Sequence, residues 1–154
     1  MDLLKLIALD EEDLKILSAH VQDAVLLTKD MVFQPKERRF VMMLSRFNWA
    51  EAEDATNGGG FERRQAALRF EWVDQAQFKD LALDRVGDAH ELLAVDFEPG
   101  KAPGGTLTLI FAGGGGVRLH VDCIEAELRD LGPSWKTRMK PKHPDDNSGA
   151  APAT

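Results

Sequence analysis

The amino-acid sequence predicts an α+β fold, in which about six to seven strands form a curled antiparallel sheet or a partly open barrel between an N-terminal helix and a C-terminal helix. Most apolar residues fall in short segments that alternate with polar residues and are separated by glycine- and proline-rich turns. Only two segments, one near each end, space their apolar residues as a helix does. Hydrophobic residues make up 44% and charged residues 29% of the 154, which is typical of one globular domain.

The N-terminal segment predicts a strand followed by a helix. Leu4 to Leu9 is a short apolar run, and Asp10 then stands where a helix N-cap is expected. The acidic residues Glu11 to Asp13 follow, and their negative charge opposes the helix dipole in the first turn. The apolar stripe of this helix is formed by Leu14, Leu17, Val21 and Ala24.

The middle of the chain predicts consecutive antiparallel strands. The clearest hairpin has Gly113 to Gly116 as its turn, because apolar and polar residues alternate on both sides of it. The stretch from Gln75 to Ala89 fits either a helical turn or an irregular crossover. The predicted strands are Val25–Thr28, Met31–Gln34, Arg39–Trp49, Arg64–Val73, His90–Glu98, Thr106–Ala112 and Val117–Val121.

A second helix is predicted to begin at Asp122. Glu125 stands three residues further on, as in a capping box, and Ile124, Leu128 and Leu131 form an apolar stripe that ends before Gly132-Pro133. A helix that follows the last hairpin and plugs an open sheet is similar to a pleckstrin-homology-like layout. We therefore expect one globular domain over residues 1–138 and a disordered tail over 139–154, where little can be buried.

Charge and composition restrict the partners. The net charge of −7 argues against non-specific binding to nucleic acid or to an anionic membrane. No apolar run approaches the roughly 20 residues of a membrane helix. One cysteine, Cys123, excludes an internal disulfide, and no signal peptide is evident, so we expect a cytoplasmic protein.

Four segments carry a resemblance to a known family. They are LKLIALDEEDL at 4–14, QDA at 22–24, PKERRF at 35–40 and RFNW at 46–49. Together they resemble a family of short, uncharacterised proteobacterial proteins known as a domain of unknown function, over residues 3 to about 138. The resemblance implies a bacterial cytoplasmic protein and supplies no activity, ligand or cofactor.

One candidate site lies where the last hairpin meets the predicted helix. Cys123 would stand in the first helical turn, where the dipole lowers a thiol pKa, with His120 and Asp122 beside it. This arrangement suggests an enzyme, or an enzyme accessory, with a reactive thiol. The alternative is that Asp122 is a helix cap, His120 is exposed and Cys123 is packed, and no further catalytic group accompanies them.

The other candidate site is a surface rich in arginine and aromatic residues. Arg39, Arg46, Arg64 and Arg69 lie on two strands that we expect to be neighbours, and Trp49 and Trp72 lie at their ends. Such a surface suits a small anionic ligand or a protein partner. The alternative is a solvated face paired with Glu37, Glu62 and Glu71, with the aromatic residues in the core.

The first hypothesis is therefore a non-enzymatic binding or protein-interaction module. A third possibility is a structural homo-oligomer in which the strand Val41–Trp49 pairs with its copy. The four histidines are scattered, so no metal site is expected, and no cofactor is implied. Gly113 to Gly116 lacks the Lys-Ser/Thr and the helix of a phosphate loop.

Overall fold

The computed structural model describes residues 3–48 and 61–137, which contain one α-helix, a 3-10 turn and ten strands. The helix α1 spans Glu11–Val21, and the 3-10 turn spans Thr28–Asp30. The strands are β1 (Lys5–Ala8), β2 (Ala24–Leu27), β3 (Met31–Gln34), β4 (Arg39–Phe47), β5 (Phe61–Phe70), β6 (Val73–Lys79), β7 (Ala89–Pro99), β8 (Gly105–Phe111), β9 (Gly116–Val121) and β10 (Ala126–Thr137).

The strands form one antiparallel sheet in the order β1-β10-β5-β4-β2-β7-β8-β9-β6, with β3 beside β4. The path runs from β1 to β6 without closing, so the predicted antiparallel sheet is confirmed, whereas a closed barrel is not formed. The ten strands exceed the number predicted. Strand β4 lies between β5 on one side and β2 and β3 on the other. Residues 39–47 of β4 thus lie between neighbouring strands on both sides.

Helix α1 begins as the sequence predicts but ends at Val21, so Ala24, the last residue of the predicted apolar stripe, lies on β2 instead. The Asp10 side chain accepts a hydrogen bond from the Asp13 backbone N–H at 2.8 Å, which satisfies one free donor of the first turn. Leu14, Leu17 and Val21 are buried. The helix therefore covers the inner face of the sheet.

The core lies between the helix and the curled sheet. Alternate residues of each strand point inward; on β4 these include Phe40, Met42 and Leu44, all buried. The sheet curls far enough to bring its edge strand β6 against the start of β4, where the rings of Phe40 and Phe78 lie 6.1 Å apart. The first five residues of the segment that the sequence left open, 75–79, belong to strand β6. At this edge position only Ala76 and Phe78 are half-buried between polar neighbours.

The predicted C-terminal helix is wrong, because residues 126–137 form strand β10 between β1 and β5. Ala126, Leu128 and Asp130 point inward in strict alternation, and Glu127 and Arg129 point outward. The alternation of apolar and polar residues expected of a strand is interrupted by the inward Asp130, so it was not recognised in the sequence. The spacing of Ile124, Leu128 and Leu131 also fits one face of a helix. The pleckstrin-homology-like layout depended on that helix and is not confirmed.

Three predicted features fall outside the described residues. They are Trp49, residues 50–60 of the exposed loop that the glycine triplet at 58–60 predicts from Ala50 to Phe61, and the predicted disordered tail over 139–154. Phe61, the last residue of the predicted loop, begins β5.

Candidate functional site

Two of the four arginines of the predicted surface lie inside the protein. The Arg46 guanidinium donates from Nε and Nη2 to the two carboxylate oxygens of Asp130, at 2.7 and 2.8 Å. The exposed fractions of the two side chains are 4% and 0%. Arg64, equally buried, donates to Glu62, whose Oε1 also accepts from Asn48. We call Arg46, Asn48, Glu62, Arg64 and Asp130 the buried ion network.

Asp130 also attaches the first strand. Its Oδ2 accepts a hydrogen bond from the Leu4 backbone N–H at 2.9 Å, and its own N–H donates to the Leu4 carbonyl. Burial by itself raises the pKa of Asp130, but the hydrogen bonds from Arg46 and Leu4 outweigh it and bring the pKa below its usual value. The carboxylate is therefore ionised in the folded protein and holds β1 to β10.

His20, near this network, provides an expected pH dependence. Burial, assisted by the charge of Arg46, lowers the pKa of His20 below its usual 6.5 against the opposing effect of Asp130. The unfolded chain therefore binds more protons just below pH 6.5. The contribution of neutral His20 to the free energy of unfolding is complete above pH 6.5 and is lost as the pH falls from 6.5 through the lowered pKa of the folded protein.

We expect the unfolding free energy of the wild-type protein to decrease more than that of a His20→Asn variant between about pH 7.5 and about pH 5.5. Urea denaturation at a series of pH values measures both. Parallel pH profiles for the two proteins would contradict the assignment.

The other two arginines of the predicted surface lie on the outer face of the sheet. Arg39 and Arg69 both pair with Glu71, each at 2.8 Å, and Arg69 reaches Glu127 at 3.4 Å. Arg129 pairs with Glu127 at 3.2 Å. We call this row of alternating charges, from Arg39 to Arg129, the outer ladder. The structure thus divides the four predicted arginines between the interior and one outer face.

Trp72 stands at one end of the outer ladder and is 45% exposed. Its indole Nε1 donates to Glu125 at 3.0 Å, and the Arg38 guanidinium lies over its ring, 5.8 Å from the centroid. The Arg38 Nη2 donates to Asp122 at 2.6 Å and also to Asp74. We call Arg38, Trp72, Asp74, Asp122 and Glu125 the Trp72 corner.

Backbone hydrogen bonds build this corner from three distant segments. The Val73 N–H donates to the Arg38 carbonyl at 2.9 Å, and the Asp122 N–H donates to the Trp72 carbonyl at 3.1 Å. The backbone of both Arg38 and Trp72 adopts the left-handed conformation, with φ of 52° and 59°. A left-handed conformation is unfavourable for an arginine or a tryptophan, and such residues cluster at functional sites.

The predicted thiol site adjoins the corner, because Asp122 belongs to both. No helix follows Asp122, so the dipole expected to activate Cys123 is absent. Burial, with the charges of Glu125 and Asp122, raises the pKa of the Cys123 thiol, and Arg38 opposes this only in part. His120 contacts Gln77 at 3.1 Å and Thr106 at 3.5 Å, and no hydrogen bond among residues 3–48 and 61–137 joins it to Cys123.

A shallow groove adjoins the corner at Asp122. Its volume is about 480 Å³, and its walls include Lys101, Gly104, Thr106 and His120. At Gly104 an added Cβ would lie 2.8 Å from the Val121 carbonyl oxygen, so the close approach of the turn before β8 to the end of β9 requires glycine there. The groove extends the surface beside Trp72 with polar side chains and backbone.

A second charged group, formed by the buried Asp23 with Glu91 and Arg63, was not predicted from the sequence. Burial, followed by a hydrogen bond with Asp23, raises the pKa of Glu91. Arg63, whose own pKa is lowered by burial, lies close enough to affect both carboxyls, and its Nη1 donates to the Ser45 carbonyl at 3.2 Å. No sequence motif indicates this group, because its members come from three strand regions that pair only in the folded sheet.

Within the described residues no group of three or more histidine, cysteine, aspartate and glutamate side chains is arranged to hold a metal ion. No helix there is both long and apolar enough to cross a membrane.

The fold defines a protein built on one open antiparallel sheet. Its Trp72 corner presents a partly exposed tryptophan, which is held by a hydrogen bond to Glu125 and by the Arg38 guanidinium over its ring. The chain belongs to the DUF2948 family, described as a protein of unknown function, whose model matches residues 4–143. The predicted membership of a domain of unknown function is thereby confirmed. No curated protein and no solved structure matches the chain.

Proposed function

We propose that this protein is a cytoplasmic protein-interaction module whose main contact with its partner is the Trp72 corner. The observation that carries the proposal is a tryptophan ring, nearly half exposed, held in a strained backbone conformation by groups on both sides. Tryptophan and arginine are the residues most often found at energetic hot spots of protein interfaces. A side chain that is ordered before binding also loses less entropy when it binds.

The outer ladder favours a protein partner over a small anion. Arg39 and Arg69 are both paired with Glu71, and Arg69 is paired with Glu127 as well. A free anion would have to compete with these carboxylates for both guanidiniums. A protein surface of alternating charges, by contrast, can match the ladder while it contacts Trp72.

The test is a comparison of binding affinities. Proteins retained by the immobilised wild-type chain are purified, and their affinity is measured by calorimetry against the wild type and a Trp72→Ala variant. We expect the variant to bind about thirtyfold more weakly, as for a hot spot of about 2 kcal/mol.

The matched control is Leu83→Ala, since Leu83 is similarly exposed (49%) but lies in the connection between β6 and β7. Its affinity should remain within about twofold of wild type, because an isolated exposed side chain contributes little. Equal binding by the wild type and the Trp72→Ala variant would contradict the proposal. Circular dichroism of all three proteins confirms that they are folded.

A further inference from the structure

We propose that the Trp72 corner is a cage for an arginine side chain of the partner, and that Arg38 fills this cage in the free protein. The inference rests on the proposed function and specifies the chemistry of the partner at the same site. It is carried by the way in which Arg38 is bound, since its side chain is partly exposed and a single nitrogen makes both of its hydrogen bonds to carboxylates.

The walls of the cage suit a guanidinium. One wall is the Trp72 ring, over which a planar cation is attracted by the ring quadrupole. The carboxylates of Asp74 and Asp122 lie beside it and accept from the same nitrogen atom, Nη2 of Arg38. The ring is fixed in turn by its hydrogen bond to Glu125.

Arg38 holds this position weakly. Its side chain is 37% exposed, and the two carboxylates that it contacts are 58% and 49% exposed. Exposed pairs of this kind contribute little to stability. Arg46 shows the contrast, since it uses two nitrogens on two oxygens of one buried carboxylate.

The corner does not need the Arg38 side chain in order to form. Its segments are joined by backbone hydrogen bonds, from Val73 N–H to the Arg38 carbonyl and from Asp122 N–H to the Trp72 carbonyl. A partner that displaces the guanidinium therefore meets an assembled cage. Without that guanidinium the tryptophan is surrounded by three carboxylates, those of Asp74, Asp122 and Glu125.

Charge and space both favour a cationic partner segment. The whole chain carries a net charge of −7, which attracts a positively charged segment at long range. The groove of about 480 Å³ starts at Asp122 and leads away from the cage along Gly104 and Thr106. This groove gives the backbone on one side of an inserted arginine a place to lie.

The experiment uses the full chain and N-ethylguanidinium, which reproduces the end of an arginine side chain. Binding is followed by NMR through the indole N–H signal of Trp72, assigned by its loss in a Trp72→Phe variant. We expect Arg38→Ala to bind the probe with an affinity about fivefold above that of the wild type, since its cage is empty. Arg38→Gly, which suits the left-handed backbone, provides the same test if Arg38→Ala is unstable.

The matched control is Arg38→Ala combined with Asp122→Asn, which removes one wall of the cage and should abolish the gain. Equal probe binding by the wild type and the Arg38→Ala variant would overturn the inference, as would a gain that survives Asp122→Asn. This result is separable from the proposed function. If the Arg38→Ala variant shows the gain in probe binding but Trp72→Ala leaves the affinity for the partner unchanged, the cage is supported and the interaction module is rejected.

Discussion

Replacing Asp130 with alanine is expected to lower the free energy of unfolding by about 3–5 kcal/mol, as happens when one member of a buried ion pair is removed. Asp130 is fully buried and accepts hydrogen bonds from Nε and Nη2 of Arg46, so its loss leaves a guanidinium charge without its partner in the interior. The Leu4 N–H also loses its acceptor. Urea denaturation measures the change, and hydrogen exchange should show the amides of β1 opening first.

Two comparison variants make this result specific. Asp88→Ala removes an exposed carboxylate paired with Arg85, and should cost only about 0–1 kcal/mol. Asp130→Asn keeps the size of the side chain and an oxygen that can accept from Leu4, but it removes the charge. A decrease in the free energy of unfolding close to that of Asp130→Ala would therefore assign the effect to the ion pair. A loss below about 1 kcal/mol for Asp130→Ala would show that the interior tolerates an unpaired Arg46.

Replacing Phe40 with alanine is the second change of large expected effect, with a loss of about 3–5 kcal/mol. Phe40 is fully buried on β4, and its ring meets Phe78 of the edge strand β6 across the curl of the sheet. The change removes a large apolar side chain and leaves a cavity between the two strands. Thermal and urea denaturation measure the loss.

Phe78→Ala should cost less, because Phe78 is only half-buried. The double variant completes a cycle in which we expect a coupling of about 0.5–1.5 kcal/mol between the rings. Additive losses, with no coupling, would show that the ring contact does not hold β6 against β4.

The parts of the fold that could be predicted depend on neighbours in the sequence. Helix α1 has its cap, its acidic first turn and its apolar stripe within a dozen residues. The β8–β9 hairpin has alternation on both sides of a glycine turn. Strand β10 could not be recognised, because the partners of its inward Asp130 are distant in the chain: Arg46 lies 84 residues earlier and Leu4 lies 126 residues earlier.

The candidate site divides in the same way. The spacing of seven residues between Arg39 and Arg46 already places them on opposite faces of a strand, as does the spacing of five between Arg64 and Arg69. That parity was available in the sequence. The role of Trp72 was not, because the side chains around it come from Arg38 and from the segment after β9, which meet only in the folded sheet.

The position of β10 has a consequence for the order of folding. The last strand lies between the first strand and β5, and Leu4 and Asp130 are separated by 126 residues. During synthesis β1 therefore emerges long before β10, with which it pairs, and the side of β5 that pairs with β10 stays unpaired until the same moment. Closing so long a loop slows folding. Until β10 is in place, the unpaired edges of the sheet expose the chain to aggregation. Completion of this sheet is thus a late event, governed by the arrival of residues 126–137.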